Sequence, residues 1–192
     1  LLHDGLISVL GDHVMQKGSL VTADRLRFDF SHSAPLNDQQ INQIECYVNQ
    51  VIIADHEVKT DVMHLDDAKS HGVKALFDEK YDDEVRVLTM GPSRELCGGT
   101  HVTRTGEIGY FVIIEQTAVA QGVRRVEALT GLNAVQYMQD NRFRLQEVAR
   151  VLQSPSDKLI EKIDKMKQQV KQLQKTQETL VLRSMDVDCE NS

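Results

Sequence analysis

Hydrophobic positions along the chain change rhythm several times, and each change predicts an element. Leu1, Leu2, Leu6, Val9 and Leu10 have the spacing of one helix face, with no capping residue before them. Val14–Val21 and Leu26–Phe30 predict two strands joined by a polar turn at Thr22–Asp24, because Leu26, Phe28 and Phe30 alternate with Arg27, Asp29 and Ser31. Asn37 followed by Gln40 predicts a capping box, and Ile41, Ile44, Val48, Val51 and Ile52 form the stripe of a helix that covers a sheet. A strand near Glu57–Met63, a short helix near Asp66–His71 and a strand at Val85–Met90 lead to a turn at Gly91–Pro92. Gly109–Gln116 and Gly122–Leu129, rich in β-branched residues, are the last predicted strands. From Asn133 the period becomes helical and is interrupted at Ser154–Pro155. Leu159, Ile163, Met166, Val170, Leu173, Gln177 and Leu180 then step by four and three residues, the a/d seam of a long exposed helix or coiled coil with one polar position, Gln177. These elements predict an α+β fold, an antiparallel sheet packed by helices, followed by a long C-terminal helical or coiled-coil segment.

Composition narrows the class. The 192 residues are 41% hydrophobic and 27% charged, with three Pro and no Trp, a globular profile. No apolar run approaches the roughly 20 residues of a membrane span. Nothing at the N-terminus has the form of a secretory leader, and Cys46, Cys97 and Cys189 are too scattered for a disulfide framework, so a cytosolic location is expected. The net charge of −7 argues against a general nucleic-acid coat, but it is unevenly spread. Residues 1–130 hold 12 Lys+Arg against 20 Asp+Glu, whereas residues 131–192 hold 10 against 9. A nucleic-acid partner therefore has to be gripped locally, in one cleft.

The densest chemistry lies in Glu95-Leu-Cys-Gly-Gly-Thr-His101. Gly98 and Gly99 can turn the chain tightly, with positive φ open to them, so that the Cys97 thiolate and the His101 imidazole converge. That pairing suits zinc, although a structural site needs four ligands and a catalytic one three. Two other readings stand beside it: a small buried Cys next to a surface His, and a Cys nucleophile activated by His. His3, His13, His32, His56, His64 and His71 are available, but none is paired with another His or Cys at metal spacing. His3 lies on the first helix, where a single His usually packs or faces solvent.

Four blocks in order, Gln16-Lys-Gly-Ser-Leu-Val21, Leu26-Arg-Phe-Asp-Phe-Ser-His32, Glu95–His101 and Gly122-Val-Arg-Arg-Val-Glu-Ala128, closely resemble the editing domain of bacterial alanyl-tRNA synthetases over residues 1–130. Related editing modules of threonyl-tRNA synthetases and free-standing editing proteins share the Cys-x-x-x-His element. The helical zone 131–192 resembles the connector toward the family's C-terminal dimerisation domain. The resemblance implies hydrolysis of serine or glycine wrongly esterified to tRNA(Ala), with zinc held by Cys97, His101 and a His-x-x-x-His pair on the first helix. Here the helix opens Leu1-Leu2-His3, so His3 matches the family's third, non-ligand histidine and the two helix ligands fall before Leu1. The expectation is that residues 1–192 hold zinc poorly and are inactive by themselves. Losing half a ligand set removes a large part of the roughly 10–16 kcal/mol of structural zinc sites.

The same resemblance makes Gln16 the polar group that recognises the substrate or positions the attacking water. An amide does not titrate at useful pH, so Gln16 is not a general base. Lys17, Arg124 and Arg125 are candidates for the tRNA(Ala) acceptor end. Arg124 and Arg125 are neighbours on a strand and point to opposite faces, so one reaches the cleft and the other pairs with an acid, Asp29 and Glu127 being the candidates. ATP and Mg belong to the aminoacylation domain of the longer enzyme, and the C-terminal helix offers a homodimer interface. The alternatives are a free-standing trans-editing deacylase and a non-catalytic tRNA-binding or dimerisation module.

Overall fold

The computed structural model describes residues 1–70, 73 and 83–190. In chain order the elements are α1 (Leu2–Leu10), β1 (Gln16–Val21), β2 (Leu26–Ser31), α2 (Asp38–Ile53), β3 (Val58–His64), α3 (Leu65–Ser70), β4 (Glu84–Met90), β5 (Ser93–Leu96), β6 (Phe111–Ala120), β7 (Val123–Thr130), α4 (Gly131–Val151) and α5 (Leu159–Glu190). One-turn 3-10 helices at Thr105–Ile108 and Ser156–Lys158 complete the set. The chain divides into two units, Leu1–Tyr137 and Met138–Ser192.

The first unit has two sheets where the sequence pattern suggested one. A four-stranded antiparallel sheet runs β1-β2-β7-β6, and a three-stranded one runs β3-β4-β5. The split could not be read from the chain, since strand pairing is non-local and the apolar rhythm of β3 and β4 fits either sheet. The short β5 was not expected as a strand; Ser93-Arg-Glu-Leu96 carries one apolar residue and gives no alternation. His71, assigned to the short helix, lies outside the described residues.

On the four-stranded sheet, the alternation of β2 turns Phe28 and Phe30 to one face, where they meet Val126, Ala128, Phe111 and Ile113 from β6 and β7. Helices α1 and α2 cover this face with Leu2, Leu6, Ile44, Val48 and Ile52. The capping box forms as expected: the Asn37 side chain accepts from the Gln40 backbone N–H, and the Gln40 side chain accepts from the Asn37 N–H. Polar residues of α2 close the outer edge of β6. Asn49 donates to the Phe111 carbonyl (2.8 Å) and accepts from its N–H (2.9 Å), while Glu45 accepts from the Ile113 N–H (2.7 Å). The Phe111–Ile113 part of the edge, closed this way, is unavailable for pairing with a second chain. On the smaller sheet Val85, Val87 and Leu96 pack with Ala68 and Val73 in a separate apolar cluster.

In the second unit the helical period breaks where expected. Helix α4 ends at Val151, Gln153 takes φ 48°, and the Pro155 turn precedes α5. At the start of α5, Leu159 is buried, whereas Val170, Leu173 and Leu180 are more than half exposed. A groove of about 610 Å³ is lined by Leu152 and by Ile163, Met166, Lys167, Val170, Lys171 and Gln174 of α5. No helix among the described residues is long and apolar enough to cross a membrane.

Candidate metal and acceptor-end site

Strand β5 delivers the Cys-x-x-x-His element. The turn from β4 needs glycine at 91, where φ is +60° and an added Cβ would lie 2.6 Å from the His56 ring. The ladder continues one step beyond β5, because the Cys97 N–H donates to the Arg86 carbonyl (3.1 Å). Cys97 therefore stands opposite Arg86. By strand alternation these two share a face with Glu95 and Leu88, away from the Val85–Val87–Leu96 cluster. The chain then bends at Gly99 and returns His101 to Cys97, with Nε2 3.2 Å from Sγ. Neither Gly98 nor Gly99 enters the left-handed region, so the expected positive φ is not how the turn is made; a Cβ on Gly99 would sit 3.6 Å from both Sγ and Nε2. Beyond His101 the segment is tied down by a Val58 N–H to Thr103 carbonyl bond (2.9 Å), an Arg104–Asp55 ion pair (2.8 Å) and the buried Thr105 hydroxyl, which donates to the Val51 carbonyl (2.9 Å).

Helix α1 stands against this face. His3 is buried, with Nδ1 3.3 Å from Glu95 Oε1, Nε2 3.4 Å from the Val14 carbonyl and its ring against Phe28. Its burial against Phe28 fits the packing reading of a single helix histidine, and it also links a residue two before Gln16 to one two before Cys97. Burial first, then the charge of Arg86, holds the His101 pKa below its ordinary value, against the opposing pull of Glu95. The ring is therefore neutral at pH 7 and has a lone pair to offer.

These two donors fit zinc. Tetrahedral ligation with Zn–S of about 2.3 Å and Zn–N of about 2.0 Å separates S from N by about 3.5 Å, a few tenths more than observed. Among the described residues no third His, Cys, Asp or Glu joins them to make a metal-binding group.

The other candidates line up on the four-stranded sheet. Gln16, Phe30 and Arg124 are cross-strand neighbours on the face that carries the core. Gln16 is half-buried and its amide donates to Ser19 Oγ (3.0 Å). Lys17 is exposed at the irregularity between Gln16 and Gly18. Arg124 Nη2 donates to Gln116 Oε1 (3.2 Å), and its buried Nε has no partner. Arg125, on the opposite face, makes a two-pronged ion pair with Asp29 at 2.6 and 2.8 Å. Glu127 instead pairs with Arg25 (2.7 Å). Of the two arginines, Arg125 is thus the one matched to an acid, and Arg124 shares the Gln16 face.

Two further features escaped the sequence reading. Spacing left His13 and His32 unpaired, but the β1–β2 hairpin brings His13 Nε2 to 2.9 Å from His32 Nδ1 with the rings stacked. Burial, with help from His13 and Arg124, lowers the His32 pKa. The second is Arg86, a charged residue alternating with Val85 and Val87, and that alternation was its only signal.

Comparison with known proteins agrees with the motifs. Residues 85–127 match the family described as the threonyl and alanyl tRNA synthetase second additional domain. A protein named alanine–tRNA ligase from Cupriavidus necator is 51% identical over 180 residues, covering 94% of this chain and 21% of the relative. Its counterpart from Burkholderia thailandensis is 53% identical over 175 residues, covering 91% and 20%, and that from Ralstonia nicotianae is 51% identical over 180 residues, covering 94% and 20%. The chain spans about a fifth of the length of these relatives. It belongs, therefore, to the alanyl-tRNA synthetase family, as an editing-domain segment carrying the second additional domain.

Proposed function

We propose that residues 1–130 are the editing module of a longer alanine–tRNA ligase and hydrolyse serine or glycine esterified to tRNA(Ala). The longer protein would charge tRNA(Ala) with alanine in the cytoplasm, using ATP and Mg. The observation that carries the reading is the approach of Cys97 Sγ to His101 Nε2 at 3.2 Å, on the strand end whose Glu95 meets His3 of α1. Relatives about five times as long favour an embedded module over a free-standing deacylase. The need for such a site is physical: a pocket for alanine cannot exclude glycine by size, and an added hydroxyl gives only modest rejection.

In this reading Cys97 and His101 hold zinc, with two further ligands from histidines N-terminal to Leu1, so residues 1–192 alone bind the metal weakly and turn over poorly. When bound, zinc supplies Lewis acidity toward the aminoacyl group. Gln16 hydrogen-bonds the substrate or orients a water whose oxygen attacks the ester carbonyl carbon. The bond to the ribose oxygen then breaks, the ribose oxygen takes a proton, and the amino acid leaves as its carboxylate. Lys17 and Arg124 attract the acceptor end, while Arg125, held by Asp29, keeps β2 and β7 in register. The exposed seam of α5 pairs two chains. The test is hydrolysis of Ser-tRNA(Ala) by the full-length ligase. Cys97→Ala should slow it at least 100-fold with alanine charging intact; unchanged hydrolysis in that variant would refute the assignment.

A further inference from the structure

Arg86 is a half-buried cation that the reading above leaves without a task. Its Nε is enclosed and has no hydrogen-bond partner, and its one described bond is a long one, Nη1 to the Gly98 carbonyl at 3.4 Å. No ion pair of Arg86 with a carboxylate is found among the described residues, and Glu95 on the same face meets His3 instead. A guanidinium partly withdrawn from water without a counter-charge is costly, and the cost is relieved when an anion arrives. Arg86 stands directly across the ladder from Cys97, and its charge is felt at the His101 ring. The other under-satisfied arginines differ in setting. Arg124 already donates to Gln116, and Arg27 lies on the sheet face that carries Asp29 and Glu127.

Resting on the editing reading, we infer that Arg86 is a phosphate-binding residue of this site, taking a phosphodiester near the 3′ end of the acceptor strand. It would place the terminal ribose ester over Cys97 and His101. Arginine suits the task because its planar fork can hold Gly98 and a phosphate oxygen through different N–H groups. The predicted cluster of basic residues then gains a member from the smaller sheet, so the acceptor end would be held from both sheets.

The test uses the 192-residue chain and an RNA acceptor-stem hairpin ending in single-stranded CCA. Arg86→Gln should weaken binding about tenfold and lower the slope of log affinity against log salt by about 0.7, the value for one single-strand phosphate. Arg86→Lys should restore most of the affinity. Replacing the 3′-terminal phosphodiesters one at a time by neutral methylphosphonates leaves the protein untouched: one replacement should weaken the wild type as Arg86→Gln does and cost Arg86→Gln nothing further. If Arg86 merely shaped the Gly98 turn, the variant would keep the full methylphosphonate sensitivity, and that result overturns the inference. A wild type that fails to bind the hairpin at all contradicts the editing reading itself.

Discussion

Asp29 and Arg125 show how single side chains set the pH limits of the fold. The Arg125 hydrogen bonds and charge hold the Asp29 carboxyl below its usual range, outweighing burial, which pushes it up. Stability from this pair is therefore complete above the unfolded-state value of about 3.9 and is lost as pH falls through the lower folded one. Asp29→Asn should lower the thermal midpoint at pH 7 and flatten the acid limb, and an unaltered acid limb would count against the pair. His32 works at higher pH. Its folded pKa is depressed, so the unfolded chain takes the proton first and stability declines as pH drops below about 6.5. Melting curves between pH 7.5 and about 5 should show that decline, smaller in His32→Gln; an identical slope in both proteins would be the contrary result. At this scale the sequence carried residue types and cross-strand alternation, enough to expect one arginine in an acid pair. It did not carry the contacts His3–Glu95 and His13–His32, which depend on elements 92 and 19 residues apart.

Elements divide according to whether their signal is local. The α2 capping box was legible because Asn37 and Gln40 are three apart, and the α4–α5 break because proline acts on its immediate neighbours. Strand β5 pairs with β4 across the short Gly91–Pro92 turn, but its four residues carry too little apolar alternation to be read as a strand. The separation of β3-β4-β5 from the larger sheet depends on distant partners and was not legible. Closure of the β6 edge belongs to the same class: Asn49 and Glu45 read as ordinary polar positions of a helix, yet they satisfy buried backbone groups of another element. Asn49→Ala leaves the Phe111 N–H and carbonyl unpaired and should cost about 1–3 kcal/mol, measured by urea unfolding. A loss below about 0.5 kcal/mol would show that solvent replaces those bonds.

For the molecule as a whole, net acidity proves compatible with an RNA partner only if the few free cations gather in one place. In the proposed reading Lys17 and Arg124 on one sheet and Arg86 on the other are to meet that condition; His3 of α1 reaches Glu95, two before Cys97, and Val14, two before Gln16. The exposed α5 seam leads to a further expectation at this scale. Light scattering should give a dimer for residues 1–192 and a monomer for residues 1–155, and equal association states would remove α5 as the interface. The central claim is that Cys97 and His101 act as one pair on one metal ion. Its most direct measurement is the cobalt absorption spectrum of the full-length ligase. The wild type should show the thiolate-to-cobalt charge-transfer band at one equivalent, lost in Cys97→Ala and shifted or lost in His101→Ala; a band that persists unchanged in Cys97→Ala would contradict it.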